Sequence, residues 1–168
     1  NFYNRSNTLS LGVCNGCQLM MELGLVYPNL KEEHPRMELN KSHKFECTFS
    51  AVNILKNSSV MFKNLSNTTL GVWSAHGEGR FNFTNNNYNY KIAGKFLYNT
   101  YPGNPNGSDY NAAMIYSNDG RHLAMMPHLE RSIFPWNWAF YGKNKNIHEI
   151  SPWIKAFINA REWFENLR

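Results

Sequence analysis

The chemistry open to this 168-residue chain centres on one sulfur, that of Cys14. It lies in the stretch Leu9 to Met20, which reads L-S-L-G-V-C-N-G-C-Q-L-M. Leu9, Leu11 and Val13 form an apolar run of strand length, and Cys17 to Leu23 has the apolar density and straight-chain residues of a helix. Cys14 falls at the junction. Gly12 and Gly16 flank it two residues to either side, where the absence of a Cβ allows a sharp strand-to-helix bend. Such an elbow holds the sulfur clear of the sheet at the first turn of a helix. There the unpaired backbone N–H groups and the helix dipole favour a thiolate and can also hold an oxyanion.

A cysteine nucleophile needs a base, and the base needs a group that fixes its tautomer. His128 and Glu130 suit those roles. They stand two apart after a strand expected over His122 to Met126, so persistent strand geometry would project both to one side. Glu130 can then accept from one imidazole nitrogen while the other faces the sulfur. Two plainer readings compete: Cys14 as a small buried hydrophobe, and Cys14-Asn15-Gly16-Cys17 as a C-x-x-C redox pair. A redox pair needs neither Gly12 nor Gln18.

The elements around these residues follow from pattern. Gly24 and Pro28 end the elbow helix, and the polar stretch Asn29 to Lys44 reads as a loop. Phe45 to Leu55 and Leu70 to Ala75 read as strands, the second running into the turn His76-Gly-Glu-Gly-Arg80, a place where α/β proteins put binding groups. The Asn-rich stretch Asn82 to Asn89 reads as a surface loop and Tyr90 to Tyr98 as a further strand. Tyr101-Pro-Gly-Asn-Pro-Asn-Gly-Ser108 is an ordered turn. Ala112 to Tyr116 and His122 to Met126 form a hairpin about Asn118-Asp119-Gly120. Ser151 as N-cap and Pro152 at the first position open a last helix, with Trp153, Ile154, Phe157, Ile158 and Phe164 at helical spacing.

Composition narrows the class. At 42% hydrophobic and 15% aromatic the chain can bury a proper core as one domain. Three cysteines are too few for a disulfide scaffold and suit a reducing compartment. No stretch is long and apolar enough to span a bilayer, so the expected setting is soluble and cytoplasmic. The net charge of +5 comes from scattered Lys and Arg, which reads as a solvated basic surface rather than a nucleic-acid face. The six His are widely separated and show no metal-ligand spacing. The triplets at Asn57 and Asn67 read as products of an Asn-rich chain rather than as glycosylation sites. The chain starts at Asn1 without an initiator Met and reaches a probable central strand by residue 9, so an earlier segment is expected.

Gly12-Val-Cys-Asn-Gly-Cys-Gln18 resembles the G-x-C-x-G-x-Q elbow of class I glutamine amidotransferases, and His128-Leu-Glu130 stands where that family has H-P-E. The likeness extends along the chain. Gly12 to Met20, Asn40-Lys-Ser42 with Phe45-Glu46, His76 to Arg80, Tyr101 to Ser108 and Met125 to Arg131 occur in the order found in phosphoribosylformylglycinamidine synthases. The resemblance implies an α/β, flavodoxin-like sheet with flanking helices, residues 1–168 being a partial glutaminase domain without its N-terminal part. It implies Cys14, His128 and Glu130 as nucleophile, base and orienter, and Asn15 as an oxyanion donor. Gln18 and the backbone around Ser74 to His76 would hold the α-amino and carboxylate groups of glutamine. No cofactor or metal is implied in this segment. ATP and Mg2+ would belong to a synthetase region, in the same polypeptide or a separate subunit, which takes up the ammonia; neither nucleic acid nor membrane is an expected partner. Leu129 departs from the family proline and is expected to be tolerated. Two alternatives share these residues: another Cys-dependent amidohydrolase, and a module that docks on a synthetase without cleaving glutamine.

Overall fold

The structure, a computed structural model, describes residues 2–85, 87–142 and 150–167. Its centre is a mixed sheet of six strands. The strands are β1 (Ser10–Val13), β3 (Glu46–Ile54), β4 (Thr68–His76), β6 (Ile92–Phe96), β7 (Ala112–Tyr116) and β8 (His122–Met125), in the order β1-β8-β7-β6-β3-β4. A separate pair joins β2 (Arg36–Glu38) to β5 (Arg80–Asn82). Among the described residues only β1 and β8 run parallel, Val13 lying opposite Met125; the other pairs are antiparallel.

The central strands β7 and β8 are buried at every position, as strands covered on both faces must be. Their alternate side chains feed two cores. Met114 and Met125 join Val52, Val72, Phe62 and Trp153 on one face, while Ile115 and Ala124 join Met20, Met21 and Phe81 on the other. The hairpin between them closes as its sequence predicts: Gly120 takes φ 77°, and Ser117 N–H donates to His122 O.

Helix α1 (Asn15–Glu22) follows β1 directly and buries Cys17, Met20 and Met21. Helix α2 (Ile154–Glu165) has Trp153 at its N-cap rather than the expected Ser151, because Ser151 and Pro152 lie in a preceding turn where Ser151 Oγ accepts from Trp153 N at 3.3 Å. Two further expectations are revised here. The stretch read as a loop from Asn29 contains the end of a 3-10 turn (Pro28–Glu33) and strand β2, because β5 returns beside it and supplies a ladder. Helix α2 faces the core with Trp153, Ala156 and Asn159, so Phe157, Ile158 and Phe164 stand exposed.

The two edges of the sheet meet. After β8 the chain bends so that His128 N donates to Trp73 O of β4 at 2.7 Å, which brings β4 over the C-terminal ends of β1 and β8. The site lies at that closure.

Candidate active site

Cys14 connects β1 to α1 with φ 51° and ψ −108°. A non-glycine residue held there stores about 1–3 kcal/mol of strain, which surrounding bonds must enforce. Cys14 N donates to Met125 O at 2.9 Å, and Gln18 N donates to Cys14 O at 3.0 Å. The two flanking glycines turn out to differ. A Cβ on Gly12 would sit 2.7 Å from Gly16 O, so Gly12 is what lets the helix lie against the strand. A Cβ on Gly16 would meet nothing within 4 Å. The bend is therefore carried by Cys14 itself rather than relieved by two glycines.

The backbone N–H of Asn15 lies close enough to the Cys14 sulfur to act on its pKa, where an oxyanion donor should be. The thiol in turn points at Ala75 O, 3.6 Å away. Burial pushes the thiol above its ordinary pKa, outweighing the Asn15 N–H and the Arg131 charge, while Glu130 adds to the rise. This corrects the expectation of a resting thiolate: desolvation is the largest influence on the sulfur and keeps it a thiol.

His128 Nδ1 lies 2.5 Å from Glu130 Oε1. Strand alternation does not produce this pairing, since β8 ends at Met125 and Leu129–Ser132 form a 3-10 turn. The turn is anchored by Ser132 Oγ donating to His128 O at 3.3 Å and by Leu129, fully buried where the family proline stands. Burial raises the Glu130 carboxyl, but hydrogen bonds from His128 and its own backbone N–H, with the charges of His128 and Arg131, hold it below the usual range. Arg131 Nε is 3.7 Å from Glu130 Oε1. Cys14 and the dyad thus share the C-terminal end of the one parallel strand pair, both in contact with residues 73–75 of β4.

The other expected site residues separate into two groups. Gln18 Nε2 donates to Glu78 O at 2.9 Å and ties α1 to the turn after β4. Ala75 presents its carbonyl to Cys14, whereas the side chains of Ser74 and His76 point inward and are buried. His76 Nε2 accepts from Asn106 Nδ2 at 3.1 Å, which leaves the ring proton on Nδ1. Burial, reinforced by the charge of His128, lowers the His76 pKa to about 4. Gly79 packs flat on the same imidazole, where any Cβ would collide. Asn40 completes the frame: its Nδ2 donates to His76 O at 2.7 Å and its Oδ1 accepts from Gly79 N at 3.0 Å.

Asn106, Asn40 and Arg131 were not assigned roles by the sequence reading, and Ala75 only as part of the backbone expected to hold glutamine. The first three fall in the motifs shared with the family, so those motifs were the available sign. Ala75 acts through a carbonyl, which has no side-chain signature. Among the described residues no three His, Cys, Asp or Glu side chains are grouped to hold a metal ion. No helix among them is long and apolar enough to cross a membrane.

Comparison with known proteins agrees with this geometry. A sequence profile of the CobB/CobQ-like glutamine amidotransferase domain matches residues 1–164. The chain is 42% identical over 184 residues to an Arabidopsis thaliana protein named probable phosphoribosylformylglycinamidine synthase, chloroplastic/mitochondrial, covering 98% of this chain and 13% of that one. It is 37% identical over 187 residues to phosphoribosylformylglycinamidine synthase of Homo sapiens, covering 96% and 14%. It therefore spans only 13–14% of the length of these relatives. In fold it is similar to a chain in the structure of PurLQS from Thermotoga maritima, with a TM-score of 0.68 and 23% identity over 92% of this chain and 61% of that one. Matched by that profile over nearly its whole length, the chain belongs to the CobB/CobQ-like glutamine amidotransferase domain family.

Proposed function

We propose that this chain is part of the glutaminase domain of a phosphoribosylformylglycinamidine synthase, releasing ammonia from glutamine for an ATP-dependent synthetase region. One observation carries the reading: a strained cysteine with a backbone N–H close to its sulfur shares the end of a parallel strand pair with a bonded His–Glu dyad.

Because burial holds Cys14 as a thiol, His128 must take its proton as sulfur attacks the carboxamide carbon of glutamine. The N–H of Asn15 then faces the tetrahedral oxyanion. Glu130 keeps the imidazole oriented and stabilises the imidazolium, which returns the proton to the departing ammonia. A γ-glutamyl thioester remains, and water activated by His128 hydrolyses it to glutamate. Gln18 and the Ser74–His76 backbone would position the α-amino and carboxylate groups.

The synthetase region, fused or separate, would use the ammonia to convert formylglycinamide ribonucleotide to its amidine in purine synthesis. ATP and Mg2+ would be held there, outside this chain. The unpaired thiols of Cys14, Cys17 and Cys47 suit a reducing compartment, and we place the protein in the cytoplasm.

The test uses the intact enzyme. Cys14→Ala should abolish glutamine-dependent synthesis, lose labelling by an electrophilic glutamine analogue, and keep synthesis driven by added ammonia. Loss of both syntheses in a folded variant would overturn the role given to Cys14.

A further inference from the structure

A cavity of about 690 Å3 is walled by residues of two stretches singled out in the sequence, Asn40 to Glu46 and Tyr101 to Ser108, and shares none with the Cys14, His128 and Glu130 cluster. Its size suits a small organic ligand. Lys41 and Lys44 line it, and among the described residues neither ammonium has a hydrogen bond or an ion pair. Glu46 and Asp109 supply the opposite charge, Asp109 Oδ2 being already held by Phe83 N at 3.2 Å. Tyr101 and Tyr110 add two rings that are 65% and 52% exposed.

These groups are held in place. The stem of Lys41 lies flat on Gly107, which has φ 74°: a Cβ there would stand 2.5 Å from Lys41 Cδ. Lys41 N donates to Asn106 O at 3.1 Å, so backbone and stem of the lysine are fixed to one loop. Buried Asn104 ties that loop together, donating from Nδ2 to Asn111 Oδ1 at 3.1 Å and accepting at Oδ1 from Gly107 N at 2.9 Å. Tyr110 is braced against Phe83, with ring centroids 5.6 Å apart. Tyr110 and Asn111 both have left-handed φ, 53° and 57°, and consecutive non-glycine residues held there store the kind of strain that gathers at ligand clamps.

We infer that this cavity binds a nucleoside monophosphate, at a site separate from the amidotransferase chemistry and independent of the glutaminase reading. A lysine ammonium is a point-charge partner for phosphate, and two of them match one phosphate group. The two carboxylates cancel that charge overall, which disfavours a polyphosphate or a nucleic-acid strand. An ionised carboxylate only accepts hydrogen bonds, and the hydroxyls of a ribose supply the donors. The exposed tyrosine rings are stacking platforms for a base. A sugar phosphate without a base would leave the rings unused, and a nucleoside without phosphate would leave the ammonium groups unpaired.

The test uses the intact enzyme, in which a mapped label separates this cavity from any other nucleotide site. Photoreactive azido derivatives of AMP and UMP, one purine and one pyrimidine, are irradiated with the enzyme and the labelled peptides are identified. At least one of them should label peptides carrying Tyr101 or Tyr110. The matching unlabelled nucleotide should compete at least about tenfold better than its nucleoside or than ribose phosphate, each of which lacks half of the contacts. Lys41→Met combined with Lys44→Met keeps both stems, removes both charges and should cut the labelling at least about tenfold while unfolding at the parent's temperature. If the double variant unfolds early, the competition by nucleoside and ribose phosphate decides alone. Absence of label from these peptides with both probes would overturn the site. Labelling that a folded double variant retains in full, or that ribose phosphate competes as well as the nucleotide, would be chance surface attachment and would overturn it as well.

Discussion

At Cys14 two opposing influences are set close together. Burial holds the proton on sulfur, while the Asn15 N–H and the Arg131 charge pull the other way. Arg131 is an exposed side chain that can be changed without opening the core. In Arg131→Gln the remaining Glu130 charge acts unopposed, the thiol pKa rises further, and the thiolate fraction at pH 7 falls. Iodoacetamide alkylation in a Cys47→Ser background should slow about two- to tenfold at neutral pH, with its pH profile moved to higher pH. Cys17 is fully buried and stays silent. A profile unmoved by the change would mean that the Arg131 charge does not reach the sulfur. That Cys14 and the His128–Glu130 pair come to one end of the sheet was legible in the sequence, because residue type and spacing marked them out. Ala75 and Asn106 were not, since a carbonyl's direction and an amide reaching back 30 positions are products of the sheet closure.

At the level of elements, β1 and α1 meet through a single glycine. Gly12→Ala would drive its Cβ against the Gly16 backbone, which cannot yield as a side chain would. Overpacking of this kind costs about 1–3 kcal/mol, or about 2–4 °C of Tm for each kcal/mol. Gly16→Ala has open space and sits inside a helix, where alanine gains about 0.5–1 kcal/mol over glycine. Thermal unfolding should therefore lower the Tm of the first and hold or raise that of the second. Equal losses in both would mean that the two glycines share the bend after all. The glycine pattern was readable, yet it could not separate a close approach from a bend, because either use leaves the same letter. Helix α2 shows the same limit. Its apolar letters at 157, 158 and 164 have helical spacing, but Trp153 fixes the rotation by donating from Nε1 to Gly71 O at 2.8 Å, and Ala156 follows it inward.

Across the whole molecule, closing the sheet at Trp73 and His128 puts a second imidazole in the interior, and the stability of the fold becomes tied to pH through it. His76 has a folded pKa of about 4 against 6.5 for an ordinary histidine. Between those values the unfolded chain takes up a proton that the folded state refuses. The contribution is therefore intact above pH 6.5 and is lost as pH falls towards 4, by about 3 kcal/mol in all. His122, whose pKa is also lowered by burial, bends the curve in the same direction. Glu130 and Asp119 have depressed carboxyl pKa values, so their losses begin only as pH falls through the carboxylate range. The interval from 6.5 to about 4.5 thus isolates the histidines. His76→Gln keeps a polar side chain beside Asn106 but cannot be protonated. Urea unfolding at half-unit steps of pH should show the parent losing stability steadily across that interval and His76→Gln losing about half as much or less, the remainder belonging to His122. Parallel curves for the two proteins would show that His76 takes up its proton as easily in the fold as outside it, and that the closed sheet does not shield it.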